Sequence, residues 1–376
     1  MASPAKTYRA YVGTYTAKTN SKGIYEFEFD PATGKMSAAQ VAAETRDPSW
    51  VVVHPSGKYL YSVNEMGKAS TLSVFAIDPK TGKLTQLNQV SALGEDPCYL
   101  SFDRTGKFLF VANYTSGNVV VFPILADGKL GEQTANVTDQ GATGPNKERQ
   151  EGPHAHWIDI DTGSISPMFA SVYVADLGLD RVLIYQFHGT RGELSGPRVL
   201  STYSKRKFDP SANLSPGTGP RHAAFSKDRT RMYVLGELNS TITAIHMTGT
   251  DDFVPTAFQK VSTLPEGFLG RNDAAEIEIH PSGKFLYASN RGEDTIAEFV
   301  IDPRDGKLTA IGSVPTGGKE PRHFAIDPTG KFLLAENQNS NTIVEFRIDQ
   351  ATGKLTPSGE TISVLSPVCI TFLSDE

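Results

Sequence analysis

The chain has 376 residues, of which 39% are hydrophobic, and it carries a formal net charge of −6 with a pI near 5.8. An acidic chain of this kind presents no broad basic surface, so nucleic acid is not an expected partner. The apolar residues are dispersed and form no run of about 18, so no membrane span is expected.

The N-terminal segment and the cysteines bear on location. Met1–Arg9 is polar and lacks the apolar core of a signal peptide, so we expect a cytoplasmic protein. Cys98 and Cys369 have no paired spacing, which favours neither a disulfide framework nor a zinc site and suits a reducing compartment. Residues 1–7 are predicted to be a tail that precedes one domain over 8–376.

An internal repeat begins its first complete copy at Asp47-Pro48. An apolar run is followed by the turn Pro55-Ser56-Gly57-Lys58 and by a second β-rich run that ends at Asn64. A third run alternates at period two over 71–78, and a turn at 81–84 leads into a fourth. Such β-branched and aromatic runs, separated by Gly and Pro, are the signature of short strands.

The same pattern returns at Asp96-Pro97, Gly152-Pro153, Gly219-Pro220, Asp273-Ala274 and Glu320-Pro321. An interval of roughly 50 to 65 residues fits one blade of a β-propeller. The start of the chain supplies strands two to four of a further unit, and the stretch 366–372 supplies its missing first strand. We therefore predict an all-β fold, a seven-bladed β-propeller with four antiparallel strands per blade, closed by the C-terminal strand pairing with the N-terminal blade.

Two polar, Gly- and Pro-rich stretches, 136–151 and 202–218, interrupt the repeat. The second contains Lys205-Arg206-Lys207, which we interpret as a solvated charge run. Long loops inside a compact fold are commonly functional. Both loops are expected at the end of the ring where the first strands begin.

Side chains that carry chemistry are expected where first strands begin and second strands end, because antiparallel order brings these points to one face. The residues after the repeat Pro are Ser49, Cys98, His154, Arg221, Ala275, Arg322 and Val368. The residues that end the second strands are Thr14, Asn64, Asn113, Asp176, Glu237, Asn290 and Asn337. Asn at such a position has a structural explanation in turn geometry, so the charged departures are more informative.

The departures form a set with acid, guanidinium and imidazole groups. Its members are Glu237, Arg221, Arg322, His154, His156, His222 and His323. One interpretation is an ion-pair network that ties blades together. The other is an anion site with general acid/base groups, because guanidinium forks match carboxylate and phosphate geometry.

Other chemistries find less support in the sequence. His154-Ala155-His156 offers two nitrogen ligands for a metal ion, but no third ligand has a supporting spacing. There is no Gly-x-Ser-x-Gly elbow and no Walker loop. No metal and no cofactor are therefore expected.

The chain resembles the lactonase family of seven-bladed propellers, which contains 6-phosphogluconolactonases and carboxy-cis,cis-muconate cyclases. The motifs that carry the resemblance are Gly152-Pro153-His154-Ala155-His156, Gly219-Pro220-Arg221-His222, Gly236-Glu237-Leu238-Asn239-Ser240, Ala288-Ser289-Asn290-Arg291-Gly292 and Asp176-Leu177-Gly178 with Asp180-Arg181. The resemblance implies metal-free chemistry by one His, two Arg and one Glu. These fall on His154, Arg221, Arg291 and Glu237, with Arg322 as a substitute for Arg291.

The resemblance and the residue types suggest one mechanism. Arg221 and Arg291 bind the anionic group and stabilise the oxyanion of a lactone under attack. Glu237 orients or deprotonates water, and His154 exchanges a proton with the ring oxygen. Alternatively, His154 is the base and Glu237 orients it. Further substrate contacts are expected from His156, His222, Arg322, His323 and Asp176.

The leading functional hypothesis is a sugar-lactone hydrolase whose partner is a small anionic lactone, with 6-phosphogluconolactone as the first choice. A cycloisomerase acting on a carboxylated muconate and a non-catalytic propeller scaffold are the alternatives, because propellers host many functions. The protein is expected to be a monomer or a weak homodimer.

Overall fold

The computed structural model of the protein describes residues 7–161, 168–199, 214–247 and 255–373. Within these ranges the chain forms 28 strands and short 3₁₀ turns at Gly67–Ala69 and Gln338–Ser340. No helix in the described ranges has both the length and the hydropathy needed to cross a bilayer.

The strands are grouped into seven blades. Blade 1 contains β1 (Tyr8–Thr14), β2 (Gly23–Phe29), β3 (Gln40–Glu44) and the last strand, β28 (Pro367–Leu373). Blade 2 contains β4 (Val51–Val53), β5 (Tyr59–Asn64), β6 (Thr71–Ile77) and β7 (Leu84–Ser91). Blade 3 contains β8 (Pro97–Phe102), β9 (Phe108–Asn113), β10 (Asn118–Pro123) and β11 (Ala135–Thr138). Blade 4 contains β12 (Ala155–Ile160), β13 (Phe169–Asp176), β14 (Arg181–His188) and β15 (Glu193–Val199).

The remaining three blades follow the same order. Blade 5 contains β16 (Pro220–Phe225), β17 (Arg231–Gly236), β18 (Thr241–His246) and β19 (Thr256–Ser262). Blade 6 contains β20 (Asp273–Ile279), β21 (Phe285–Arg291), β22 (Thr295–Ile301) and β23 (Leu308–Pro315). Blade 7 contains β24 (Pro321–Ile326), β25 (Phe332–Asn337), β26 (Thr342–Ile348) and β27 (Leu355–Ser363).

Each blade is a four-stranded antiparallel sheet, and β28 pairs with β1 to complete blade 1. The predicted propeller with seven blades is therefore confirmed, together with its closure by the C-terminal strand. Val12 lies opposite Ile370 in this seam, and both side chains are buried. The pairing covers an edge of β1 that would otherwise expose unpaired backbone groups.

Inner strands bury both of their faces, because each sheet is covered by a neighbouring blade on either side. In β10, Val120 packs into the core shared with blade 2, whereas Val119 and Val121 pack into the core shared with blade 4. Such a strand reads as a continuous apolar run rather than an alternating one. Burial of each such side chain contributes about 1.5–3 kcal/mol.

A tyrosine hydroxyl ties several blades to the next one. The hydroxyl on a second strand donates to the carbonyl of a turn glycine in the following blade. The pairs are Tyr11 with Gly82 at 3.0 Å, Tyr61 with Gly128 at 2.5 Å, Tyr233 with Gly306 at 2.8 Å and Tyr287 with Gly353 at 2.6 Å. These bonds satisfy buried polar groups and fix the angle between adjacent sheets.

The first strands of several blades begin with a β-bulge. The register shifts between Pro97 and Tyr99 in blade 3, so that Cys98 is the extra residue. The extra residues of the other bulged first strands are His156, Arg221, Ala275 with Glu276, and Arg322. A bulge leaves its extra residue unpaired and redirects the side chain. Because the bulge residue differs from blade to blade, equivalent strand starts place different side chains at one end of the ring.

Candidate active site

A cavity of about 500 Å³ opens at the end of the ring where the first strands begin. It is lined by Tyr15, Glu65, Cys98, Tyr114, Arg149, His156, Glu237, Arg271, Asp273, Arg291, Gly292, Glu320 and Arg322. Small-molecule sites commonly enclose about 300–1,000 Å³, so the space suits a sugar-sized ligand.

The cavity wall is built from two sets of equivalent positions. The bulge residues form one set and contribute Cys98, His156 and Arg322. The other set consists of the residue that follows Thr14, Asn64, Asn113, Gly236 and Asn290, and contributes Tyr15, Glu65, Tyr114, Glu237 and Arg291. Antiparallel pairing brings the two sets together, as the sequence analysis predicted for this face.

The strand pairing corrects the predicted alignment at Glu237. Pro220 lies opposite Gly236, just as Pro97 lies opposite Asn113. Gly236 therefore occupies the strand-end position, and Glu237 is one residue further along the chain. The prediction that Glu237 replaces the strand-end Asn was wrong, because the repeat alone does not show where the pairing stops.

Glu237 is the centre of the charged part of the cavity. Its Oε2 lies 3.1 Å from Nε of Arg221 and 3.2 Å from Nη2 of Arg291. Nη2 of Arg149 donates to the other oxygen, Oε1, at 2.5 Å. Glu237 is only 4% exposed, so three guanidinium groups surround one buried carboxylate.

These cations decide the ionisation of Glu237. Burial by itself raises the pKa of a carboxyl group, but Arg291, Arg221 and Arg149 together hold the pKa of Glu237 well below its usual range. The carboxylate is thus ionised at neutral pH and is a weak base. Burial has the opposite consequence for Arg221, whose pKa is lowered to about 10.

Arg149 was missed by sequence reasoning. It lies in the interrupting stretch 136–151, within the run Lys147-Glu148-Arg149, which resembles an ordinary solvated charge run. In the structure its Nη2 lies 3.3 Å from the hydroxyl of Tyr114 as well as 2.5 Å from Glu237. The prediction that this loop overhangs the site face is therefore confirmed.

The loop that carries Arg149 is attached to blade 4. Gln150 donates from Nε2 to the carbonyl of Leu177 at 2.8 Å and to Oδ1 of Asp180 at 2.7 Å. Asp180 also accepts the backbone N–H groups of Gly217 and Gly219, at 2.6 and 2.7 Å. One carboxylate thus holds both chain segments that lead to Arg149 and Arg221. Of the second long loop, residues 202–213 with Lys205-Arg206-Lys207 lie outside the described residues.

His154 does not line the cavity. Its Nδ1 lies 2.9 Å from the carbonyl of Tyr114, and its Nε2 lies 3.1 Å from Oε1 of Glu151. The ring stacks on Tyr114 with a centroid distance of 4.6 Å. The pairing of Ala155 with Asp176 explains this position, because it makes His156 the bulge residue of blade 4. The alignment that placed His154 beside Arg221 was two residues out of register.

His156 therefore supplies the imidazole at the cavity wall. Burial, with a further contribution from the Arg221 and His222 charges, lowers the pKa of His156 well below its ordinary value. The ring is neutral at pH 7 and is available to accept or donate one proton. Its Nδ1 lies 3.8 Å from the Cys98 thiol, and burial raises the pKa of that thiol beyond the neutral range.

His222 and His323 lie beneath the cavity in a buried chain of polar groups. His222 Nδ1 is 2.9 Å from Glu276, His323 Nε2 is 3.5 Å from the same carboxyl group, and His323 Nδ1 is 2.6 Å from Glu336. Burial lowers the pKa of His323 to about 4. These groups connect blades 5, 6 and 7, and Arg221 Nη1 lies 3.3 Å from His222 at the top of the chain.

Arg322 lines the cavity beside residues of blades 1 and 2. Its guanidinium lies 5.4 Å from the centre of the Tyr15 ring. The Tyr15 hydroxyl donates to Glu65 at 2.8 Å, and Ser49 donates to the same carboxyl oxygen at 2.5 Å. Within the described residues, no carboxylate lies within 4.0 Å of Arg322.

Asp176 is fully buried and belongs to the scaffold around the site. Its Oδ1 accepts the backbone N–H groups of His154 and Leu179, at 2.9 and 2.8 Å. The carboxyl groups of Asp176 and Asp139 interact directly, and burial together with Asp176 raises the pKa of Asp139. Asp139 also accepts the Tyr185 hydroxyl. Asp176 is thus placed to shape the loop before β12, away from the cavity wall.

Several cavity residues had no signal in the sequence. Tyr15 and Tyr114 become recognisable only after the strand ends are known, because each follows an ordinary strand-end residue, whereas Glu65 is a charged residue beside the predicted strand end at Asn64. Asp273 begins β20 and lies 2.9 Å from Arg271 and 3.8 Å from Arg149. In the described ranges, no group of three His, Cys, Asp or Glu side chains has the arrangement of a metal site.

Comparison with known proteins agrees with this architecture. The family profile described as "Lactonase, 7-bladed beta-propeller" matches residues 9–372. A 6-phosphogluconolactonase of Bacillus subtilis is 35% identical over 371 residues, covering 97% of this chain and 98% of the relative. A 6-phosphogluconolactonase of Formosa agariphila is 34% identical, with 84% and 85% covered.

A solved structure extends the similarity to three dimensions. The periplasmic gluconolactonase of Pseudomonas aeruginosa superposes with a TM-score of 0.85 at 30% identity, covering 98% of this chain and 99% of that one. The profile, the Bacillus subtilis relative and the superposition each extend over nearly the whole chain. The chain therefore belongs to the lactonase family of seven-bladed β-propellers.

Proposed function

We propose that the protein hydrolyses a sugar lactone and that its substrate is 6-phosphogluconolactone. The observation that carries the proposal is the ionised, buried Glu237 with three guanidinium groups at the wall of a sugar-sized cavity. Two relatives of similar length bear the name of this activity. A scaffold protein has no need to keep such a costly charge cluster beside an open cavity.

The cluster matches the charge changes of lactone hydrolysis. When water attacks the carbonyl carbon, the C–O bond that forms places negative charge on the carbonyl oxygen. Arg291 lines the cavity beside Glu237, so its positive charge is suited to stabilise that oxyanion. Arg221 lies behind Glu237 and adds positive charge from within the wall.

Glu237 acts on the attacking water. Its depressed pKa makes it a poor proton acceptor, so we assign it chiefly the orientation of water through an accepted hydrogen bond. The same carboxylate keeps the three guanidinium groups in place.

His156 is the group we assign to proton exchange. The ring C–O bond breaks as the tetrahedral intermediate collapses, and the ring oxygen takes up the proton that the attacking water has released. A neutral imidazole at the cavity wall can relay that proton. We assign His154 a supporting role, since it stacks on Tyr114 and binds its carbonyl.

A continuous pH-stat assay tests the proposal, because opening of a lactone releases a proton whereas cyclisation of carboxymuconate takes one up. The purified protein is offered 6-phosphogluconolactone, unphosphorylated glucono-δ-lactone and carboxymuconate, with spontaneous hydrolysis subtracted. Acceleration of 6-phosphogluconolactone opening that is lost in Glu237→Gln supports the proposal. Turnover of carboxymuconate alone identifies a cyclase, and no acceleration of any substrate removes the catalytic assignment.

We also propose a cytoplasmic location, a role in the carbohydrate metabolism of phosphorylated sugars such as the pentose phosphate pathway, and a monomeric or weakly dimeric state. Cys98 and Cys369 are both free thiols, which supports a reducing compartment. Cell fractionation and light scattering of the purified protein test the location and the assembly state. Recovery in a periplasmic or secreted fraction contradicts the location.

A further inference from the structure

We propose that Arg149 binds the phosphate group of the substrate and thereby sets the preference for phosphorylated over unphosphorylated sugar lactones. The inference rests on the proposed lactonase function and adds a specificity determinant to it. The similar proteins differ in this preference by name, because two are named for a phosphorylated lactone and one for gluconolactone.

The first step is the balance of charge around Arg149. Its cluster contains the guanidinium groups of Arg149, Arg221, Arg271 and Arg291. The carboxylates within 4.0 Å of these groups are those of Glu237 and Asp273. Four guanidinium groups and two carboxylates leave two positive charges without an ion-pair partner within 4.0 Å among the described residues, and the other carboxylates of the cavity lining, Glu65 and Glu320, form no ion pair with this cluster. A phosphate monoester at neutral pH supplies a matching negative charge.

Among the three guanidinium groups that contact Glu237, Arg149 has the most accessible donors. Arg221 is 3% exposed, and its Nη1 donates a hydrogen bond to the carbonyl of Ala275. Arg291 is 10% exposed, and its Nε donates a hydrogen bond to the carbonyl of Asp273. Arg149 is 33% exposed, and its Nη1 has only a long contact of 3.8 Å with Asp273. This weak contact is one that a phosphate oxygen can replace.

Arg149 lies nearer to the mouth of the cavity than Glu237 does. Glu237 is almost completely buried, whereas Arg149 reaches it from a surface loop and remains partly open to solvent. A lactone whose carbonyl lies beside Glu237 and Arg291 therefore has its far end towards the mouth. In a 6-phosphorylated sugar lactone the phosphate is at that far end, within reach of Arg149.

Arg149 is held in place before the ligand arrives. Gln150 bonds to Leu177 and Asp180, Gly144 donates to the carbonyl of Gly178 at 2.8 Å, and Tyr114 contacts the guanidinium itself. A preorganised donor loses less conformational entropy on binding than an exposed, freely rotating lysine or arginine. The loop is therefore constructed to present this side chain.

The test compares substrates in Arg149→Gln and in a matched control. Lys147→Gln removes the same charge two residues away on an exposed part of the same loop. Because Arg149 also pairs with Glu237, we expect Arg149→Gln to lower kcat/KM for both lactones, but to lower it about 10- to 100-fold more for 6-phosphogluconolactone than for glucono-δ-lactone, mainly through KM. Lys147→Gln should leave the ratio of the kcat/KM values for the two substrates unchanged. Arg149→Lys should recover part of the loss.

Other outcomes overturn the proposal. Equal losses on both lactones indicate that Arg149 acts on Glu237 rather than on phosphate. No loss on either shows that it is not a substrate contact. A selective loss in Arg322→Gln instead of Arg149→Gln assigns the phosphate site to Arg322.

A binding measurement separates this inference from the proposed function. Calorimetry with 6-phosphogluconate and with inorganic phosphate needs no turnover. Phosphate binding that weakens about tenfold or more in Arg149→Gln supports the anion site even if the wild type opens no lactone. Equal binding by wild type and variant rejects it, whatever the catalytic result.

Discussion

Nε of Arg221 lies 3.1 Å from Oε2 of Glu237, and both side chains are almost completely buried. A buried ion pair is expensive to desolvate, and removal of one partner leaves an uncompensated charge in the protein interior. The pair joins the bulge of β16 to the residue after β17, so the chemistry of the cavity depends on the two inner strands of a single blade. Arg149 and Arg291 attach the neighbouring segments to it.

Glu237→Gln is expected to lower kcat on the lactone substrate by at least about 10²-fold. Gln keeps the shape of the side chain but cannot offset three guanidinium charges or hold water as strongly. Acid release at saturating substrate measures the effect, with the exposed Glu132→Gln as control. Wild-type turnover in Glu237→Gln contradicts the assigned role.

His156→Asn and His154→Asn form a pair that tests the placement of the imidazole. Because His156 lines the cavity, its variant is expected to lose about 10²-fold or more in kcat. His154→Asn keeps a donor near the Tyr114 carbonyl and is expected to lose less than about tenfold. Single-turnover rates of both variants decide the point, and the reverse ranking assigns the proton exchange to His154.

Asp180→Ala is expected to reduce kcat/KM by about 10- to 100-fold although the residue lies outside the cavity wall. Its carboxylate fixes Gln150, Gly217 and Gly219, and so positions Arg149 and Arg221. A displacement of about 1 Å in such groups is enough for a loss of this size. Because the effect is one of position, Asp180→Asn should recover part of the activity, whereas equal losses in both variants speak against it.

Glu345 is expected to make stability depend on pH. It is fully buried, and burial raises its pKa from 4.5 to about 7, an effect that Ser358 and Arg347 offset only in part. The folded state then binds more protons than the unfolded state between these values, so this contribution to stability falls as pH rises from about 5 to 7. Above pH 7 the penalty is fully present.

Urea unfolding at pH 5 and pH 8 measures this contribution. Relative to the wild type, Glu345→Gln should gain up to about 3 kcal/mol between pH 5 and pH 8. The exposed Glu132→Gln serves as control and should run parallel to the wild type. A constant difference between wild type and Glu345→Gln at the two pH values contradicts the expected ionisation.

The propeller was predictable because its signal is repeated. Each unit carries its own turn at Gly and Pro, and the half-units at the two ends complete one another. The site was less predictable, since one bulge decides which residue faces the cavity. In blade 4 this shift exchanges His154 for His156, and in blade 5 the end of strand pairing places Glu237 one residue beyond the predicted position.

Arg149 illustrates a different limit. A loop outside the repeat has no equivalent positions in the other blades with which it can be compared. A functional arginine in such a loop therefore looks the same in the sequence as a solvated one. Only the bonds from Gln150 to Leu177 and Asp180 distinguish them. By contrast, Arg221 and Arg322 were recognisable because they occupy repeat positions that hold smaller residues elsewhere.

The pairing of β28 with β1 has a consequence for the timing of synthesis. Tyr15 follows β1 directly and forms part of the cavity wall, so that wall is unsupported until the final strand has left the ribosome. A nascent chain that contains every charged residue around Glu237 still presents an open sheet edge. Chains truncated before Pro367 should therefore be inactive, whereas chains that include β28 should turn over substrate.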